Sequence, residues 1–168
     1  MLVLGIDPGT ATTGYGLVRE TSSGDLEAVA YGIISTPKNT APESRLLEIY
    51  NQITELVSLH RPETAAVEKL FFQRNVTTAL AVGQARGVIL LSLAQKGLQV
   101  SEYTPMEVKQ AVAGYGGADK NQVQQMVKAI LQLDKIPRPD DAADALAIAI
   151  CHCHAYRFKR LEQTGANE

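Results

Sequence analysis

Four carboxylates stand where a folded domain has no simple use for acids: Asp7, Glu68, Asp141 and Asp144. Asp7 closes the apolar run Leu2-Val3-Leu4-Gly5-Ile6, and Glu68 closes Ala65-Ala66-Val67. Each therefore belongs at the end of a buried strand, where an ionised carboxylate without a partner costs several kcal/mol. No lysine or arginine lies within the first run to offer that partner. Asp141 and Asp144 are three residues apart at the start of a helical segment, so they share a face and repel. Singly, each has a plain alternative: a turn residue at Asp7-Pro8-Gly9, a helix cap or dipole partner at Asp141 and Asp144, a paired surface acid at Glu68. Jointly they call for a cation. Oxygen-only ligation suits Mg²⁺, with Mn²⁺ as a substitute. Two such ions about 4 Å apart activate a water and stabilise the leaving oxygen in an in-line attack on a phosphodiester. No serine or cysteine triad is needed for that chemistry.

The elements that must position these acids can be read from periodicity. Leu2 to Ile6, Gly14 to Val18 and Ala28 to Ser35 read as strands with short turns between them, an antiparallel meander. Thr40 and Glu43 have capping-box spacing ahead of a helix carrying Leu46, Tyr50, Ile53 and Val57. Thr64 to Val67 is a strand, Val76 to Lys96 a helix and Leu98 to Tyr103 a strand. Thr104 and Glu107 make a second capping box with Pro105 at the first helical position. A helix follows over Asn121 to Leu133, and the last runs from near Asp140, its expected cap, to about Leu161. The order predicts an α/β fold: a mixed sheet of an antiparallel meander plus parallel strands, with helices on both faces. Residues 1–162 read as one domain and 163–168 as a flexible tail. Ala142, Ala143, Ala145, Ala147 and Ala149 let the last helix press on the sheet and bring its aspartates to the strand-borne pair.

Composition constrains the partners. An apolar content of 45% with 20% charged residues is that of a globular domain rather than a disordered chain. No secretory signal pattern opens the sequence, and Val88 to Ala94 is too short to span a bilayer, so no membrane role is expected. Two cysteines give no disulfide framework, which points to a reducing, cytoplasmic setting. The net charge of −2 argues against a nucleic-acid partner until its distribution is considered. Residues 1–68 carry 4 basic and 9 acidic side chains, whereas 69–168 carry 12 and 9. That polarity permits DNA binding once metals neutralise the four acids.

The sequence contains Gly5-Ile6-Asp7-Pro8-Gly9-Thr10 running to Thr13-Gly14-Tyr15-Gly16, then Val67-Glu68 followed by Phe71-Phe72. Further on come Gly83-Gln84-Ala85-Arg86-Gly87, Glu107-Val108-Lys109-Gln110-Ala111-Val112, Asp119-Lys120 and Asp141-Ala142-Ala143-Asp144-Ala145-Leu146-Ala147-Ile148-Ala149. In this order, over residues 1 to about 154, the chain resembles the RuvC family of crossover-junction (Holliday-junction) endodeoxyribonucleases. The resemblance implies a ribonuclease-H-like fold and four metal-binding acids at Asp7, Glu68, Asp141 and Asp144. It also implies a homodimer that nicks two strands of a four-way DNA junction symmetrically, in recombination and repair, beside a branch-migration motor.

Candidate DNA contacts follow. Phe71 and Phe72 trail Glu68 by three and four residues, where an apolar side chain can stack on an unpaired base at a branch point. Phe71 holds the family's position and is the preferred base contact. Arg74 and Asn75 are placed to touch phosphate. Lys109 and Lys120 flank the loop Gly114-Tyr115-Gly116-Gly117, and with Tyr115 they are assigned to DNA, Lys109 also to catalysis. A lysine there serves phosphate or developing transition-state charge, a role that rests mainly on the resemblance. Gly83 and Gly87 open one helix face for close packing, against either the sheet or a second copy. Arg157, Lys159 and Arg160 match nothing in the family pattern and read as a solvated helix end. Cys151-His152-Cys153-His154 is not read as a zinc site, because alternate residues of a helix face apart and no second ligand pair exists.

Rival readings can be ranked on the same residues. The segment from Gly5 to Thr10 is also similar to the first phosphate motif of actin-like and sugar-kinase-like ATPases, which need a chain about twice this long. A non-catalytic junction binder would not require four acids. A ribonuclease acting on RNA–DNA hybrids would have less use for Phe71, Phe72 and the lysine pair.

Overall fold

The computed structural model describes residues 1–37, 39–69 and 76–165, with the side chains of all but 76, 77 and 160–165. Strands β1 (Leu2–Asp7), β2 (Thr12–Glu20) and β3 (Leu26–Ser35) form the expected antiparallel meander. Strands β4 (Thr64–Glu68) and β5 (Gln99–Tyr103) extend it in parallel with β1, giving the order β3-β2-β1-β4-β5. β1 is buried along almost its whole length, as its unbroken apolar run requires of a central strand covered on both faces. β3, at the edge, instead alternates towards solvent.

Helices α1 (Pro42–His60) and α2 (Val76–Gln95) are the crossovers that return the chain for parallel pairing. They cover one face, where Ile49, Ile53, Ile89 and Leu93 pack on Leu4, Ile6, Leu17 and Ile34. Helices α3 (Pro105–Ala113), α4 (Lys120–Ile130) and α5 (Asp140–Gly165) cover the other, joining Val108, Val127, Leu146 and Ile150 to Val3, Val18 and Ala66. Among the described residues no helix is long and apolar enough to cross a membrane.

The second face is unusually close. A Cβ on Gly5 would overlap the carbonyl oxygen of Ala145, and one on Gly14 would overlap that of Asp141. Glycines of β1 and β2 therefore meet the alanine-rich start of α5 backbone to backbone. The alanines announce half of this contact in the sequence; the strand glycines supply the rest.

Helix ends agree only partly with expectation. The Thr104 box forms, with Glu107 N–H donating to Thr104 Oγ1 at 3.1 Å and Thr104 N–H to Glu107 Oε2 at 2.7 Å. A second box, unforeseen, joins Asp119 and Gln122 at the start of α4. The Thr40–Glu43 box does not form. Pro42 fixes the first turn, so Ala41 becomes the cap and makes no side-chain bond. Asp140 is not a cap either: it is the first residue of α5, and its carboxylate turns to Gln124, Arg138 and Lys120. α5 also runs past Leu161 to Gly165.

Candidate active site

The register of the parallel pair builds the site's floor. Ile6 lies opposite Val67, so Asp7 and Glu68, the next residue on each strand, emerge side by side at one end of the sheet. On the other flank Asp7 pairs with Gly14. Because Gly14 has no side chain, the first turn of α5 settles on it and brings Asp141 over the strand end, with Asp144 one turn further on. Four acids distant in sequence are thus gathered by one strand pairing and one close helix contact.

Their electrostatics are those of crowded like charges. Burial, reinforced by the charges of Glu68, Asp144 and Asp141, pushes the Asp7 carboxyl up to about 8 from its ordinary 3.8, with Lys120 opposing. Burial and the charge of Asp144 raise Glu68. Burial raises Asp144 as well, against the pull of Lys120. Lys120 is the cation already present: its Nζ lies 3.2 Å from Asp144 Oδ2 and 3.3 Å from Asp140 Oδ2. Asp140 in turn accepts from Gln124 Nε2 at 3.1 Å. Glu68, Lys109, Lys120 and Asp144 line one cavity of 260 Å³ between α3, α4 and α5.

The donor set fits a hard divalent ion. It offers only carboxylate oxygens, and it holds more negative charge than Lys120 can neutralise. Among the described residues, however, no three His, Cys, Asp or Glu side chains are closed up tightly enough to hold an ion as they stand. A bound cation would have to draw the acids in.

A family model described as crossover junction endodeoxyribonuclease RuvC matches residues 3–152. The chain belongs to the RuvC family. It is 58% identical over 165 residues to the crossover junction endodeoxyribonuclease RuvC of Chloroflexus aurantiacus, covering 98% of this chain and 99% of that one. Among solved structures, RuvC of Thermus thermophilus superposes with a TM-score of 0.88 at 38% identity, over 95% of this chain and 97% of that one. The same protein in complex with a Holliday junction substrate gives 0.86 at 36%, over 94% and 96%. The sheet is accordingly the ribonuclease-H-like one expected from the sequence.

Other candidates of this RuvC-family chain fall elsewhere. Tyr115 does not join the acidic cavity. It lies across Gly117 on the opposite side of α3, in a larger apolar groove with Met106, Cys151, His154 and Phe158. Adjacency to Lys109 and Lys120 along the chain does not carry Tyr115 into the cavity those lysines line. Phe71, Phe72, Arg74 and Asn75 lie outside the described residues. Arg157 is no solvated helix end: it donates to Glu20 Oε1 at 2.9 Å and to the Gly24 carbonyl at 2.6 Å, fastening α5 to the β2–β3 turn. Cys151 and Cys153 are buried, and burial pushes both thiols up to about 12. Sequence reading also passed over Arg86, which donates from Nε to the Glu68 carbonyl at 3.3 Å and pairs with Glu102. Its one signal in the sequence is its place in the Gly83-Gln84-Ala85-Arg86-Gly87 segment.

Proposed function

We propose that this chain resolves four-way DNA junctions by paired, symmetric nicks, hydrolysing one phosphodiester in each of two strands during recombination and repair. The observation that carries the reading is the meeting of Asp7 and Glu68, side by side at one end of the sheet, with the α5 turn bearing Asp141 and Asp144, where burial and three neighbouring acids push the Asp7 carboxyl up to about 8. Such a group is stable in its charged form only when cations stand beside it.

Asp7, Glu68, Asp141 and Asp144 are the proposed ligands. Bound there, two Mg²⁺ ions, or Mn²⁺ in their place, would supply the activated water and the counter-charge for in-line attack at phosphorus. Lys109 and Lys120 share the cavity with Glu68 and Asp144, so their ammonium groups are placed to hold the scissile phosphate and its developing charge. Lys120 would then exchange Asp144 and Asp140 for phosphate oxygens, freeing Asp144 to ligate. Phe71 is the proposed stacking partner for an unpaired base at the branch, with Phe72, Arg74 and Tyr115 as secondary contacts.

Paired nicks require two sites in fixed relation, and a twofold dimer supplies them. Leu80, Gly87 and Leu91 form an exposed stripe on α2, at helical spacing and facing away from the sheet. That stripe is the proposed seam. A cytoplasmic setting and a branch-migration motor as partner complete the reading, both on the strength of the family.

Incubation with a synthetic four-way junction and a matched linear duplex, each with and without Mg²⁺, tests it. Mg²⁺-dependent nicking of the junction alone, at symmetric positions, is expected. Equal cutting of both substrates overturns the structure-selective reading.

A further inference from the structure

Two arginines reach from the helices of one face to backbone carbonyls near the acid-bearing strand ends, and they differ in charge balance. Arg86 on α2 holds the Glu68 carbonyl, but its guanidinium is neutralised by Glu102. Arg45 on α1 donates from Nε to Thr36 Oγ1 at 2.9 Å and from Nη2 to the Thr10 carbonyl at 3.2 Å. Both of its partners are neutral oxygens. Among the described residues no carboxylate lies within 4.0 Å of its nitrogens. Glu48, one turn along α1, instead accepts from Gln52. A guanidinium has five N–H donors in a planar fork. Two hydrogen bonds leave Arg45 with donors unspent and its charge uncompensated while the side chain is half-buried.

Its position gives that charge a use. Thr10 lies in the loop that leaves Asp7, and Thr36 directly follows β3. The pairing of Thr12 with Ser35 sets both at the same end of the sheet as Asp7. In the strand order, β3 is two strands from β1, which places Arg45 roughly 10 Å to one side of the acids. Lys109 and Lys120 share a cavity with Glu68, whose strand β4 is on the other side of β1. Cationic side chains therefore flank the acidic cluster in both directions along the sheet edge. The Arg45 fork is also pre-set: Thr36 donates to the Thr10 carbonyl at 2.5 Å, and Thr13 to the Gly9 carbonyl at 2.6 Å, so its anchors are themselves fixed.

We infer that Arg45 is a DNA-phosphate-binding residue, gripping a backbone phosphate on the β3 side of the acidic site, opposite Lys109 and Lys120. A planar, permanently charged fork with free N–H groups matches a phosphate better than a lysine would. The inference rests on the junction-DNA reading above and adds a contact that reading does not contain.

The test is the salt dependence of junction binding, measured by fluorescence anisotropy in the presence of a chelator between about 50 and 200 mM KCl. Arg45→Gln is expected to weaken binding about tenfold and to flatten the slope of log K against log[KCl] by about 0.9, the increment of one phosphate contact. A wild-type slope in Arg45→Gln overturns the inference and leaves Arg45 as a tether of α1. As a second measurement, junctions with single neutral methylphosphonate linkages can be scanned against wild type and Arg45→Lys. One position that weakens wild type more than the lysine variant is expected; a scan identical for both proteins overturns the inference. If the wild type itself does not prefer the junction, the functional reading fails; a preference with an unaltered Arg45→Gln slope removes only this contact.

Discussion

Helix α5 carries two buried polar stations, and they solve the same problem in opposite ways. At its start Asp141 and Asp144 face Asp7 and Glu68, and among the described residues the only cation in contact with them is Lys120 on Asp144. Three turns later, about 16 Å along the axis, His152 is almost fully buried. Its Nδ1 lies 2.9 Å from Tyr103 Oη and its Nε2 3.3 Å from Thr64 Oγ1, and the ring packs against Tyr103 and Tyr156. Burial drives both stations towards neutrality: Asp7 goes up to about 8, and His152 goes down to about 4. A neutral imidazole with both nitrogens partnered needs nothing more. Clustered carboxylates remain costly until something positive arrives. A buried ionisable group is thus no sign of function by itself; unmet charge is.

The sharpest way to break that contrast is Asp7→Asn. The amide keeps the shape but removes the charge, so nicking of a junction should fall by about a thousandfold or more while junction binding survives. Without metal, the same variant should melt above wild type, because a repelled acid has gone. Single-turnover nicking and a melting curve in chelator read the two effects. Retained Mg²⁺-dependent cleavage would remove the site. Gly14→Ala attacks the geometry instead. Its Cβ would overlap the Asp141 carbonyl, so α5 must shift, with an expected loss of about 2–3 kcal/mol in stability and most of the nicking.

The two stations also predict pH dependences of opposite sign. Native Asp7 holds a proton that the unfolded chain releases above 3.8, so metal-free protein loses stability as pH rises from there to about 8. Native His152 refuses a proton that the unfolded chain binds below 6.5, so its contribution is lost as pH falls from 6.5 to about 4. The effects oppose each other between about 4 and 6.5, and above that only the acids act. Melting temperature in chelator should therefore fall between pH 6.5 and 8, and Mg²⁺ or Asp7→Asn should flatten the fall. A flat profile in the chelated wild type would count against the acidic crowding. His152→Phe should cost about 1–3 kcal/mol by removing the partner of the Tyr103 hydroxyl, Thr64 keeping its bond to the Gln99 carbonyl, and leave the metal dependence of nicking unchanged.

What the sequence revealed of these stations follows from which interactions are local. Asp7 and Glu68 could be placed because each ends an apolar run, and strand burial is written in consecutive residues. Asp141 and Asp144 could be paired by their spacing, and the alanines after them foretold a close helix. The roles of Arg45, Arg86 and Arg157 were illegible because a long cationic side chain chooses its partner in three dimensions. Arg157 finds Glu20, 137 residues away. Asp140 was misread as a cap for the same reason, since Lys120 and Gln124 reach it from α4. Tyr115 shows the same limit, since chain proximity to two lysines says nothing of the side of α3 on which its loop lies.

Arg157 tests how far the contrast extends, with the smallest effect. It lies beyond both stations, where α5 is fastened to the β2–β3 turn through Glu20 and the Gly24 carbonyl. The arginine is partly exposed, which screens its ion pair, but Glu20 is largely covered and the carbonyl bond is short. Arg157→Gln should lower stability by about 0.5–1 kcal/mol, visible in a denaturant midpoint, and leave nicking and its metal dependence alone. Sensitivity along α5 would then grade from catalysis at Asp141 and Asp144, through buried hydrogen bonding at His152, to simple fastening at Arg157. A catalytic loss from Arg157→Gln comparable to that from Gly14→Ala would mean instead that the helix moves as a rigid lever on Gly14, so that its far end also sets the acids' positions.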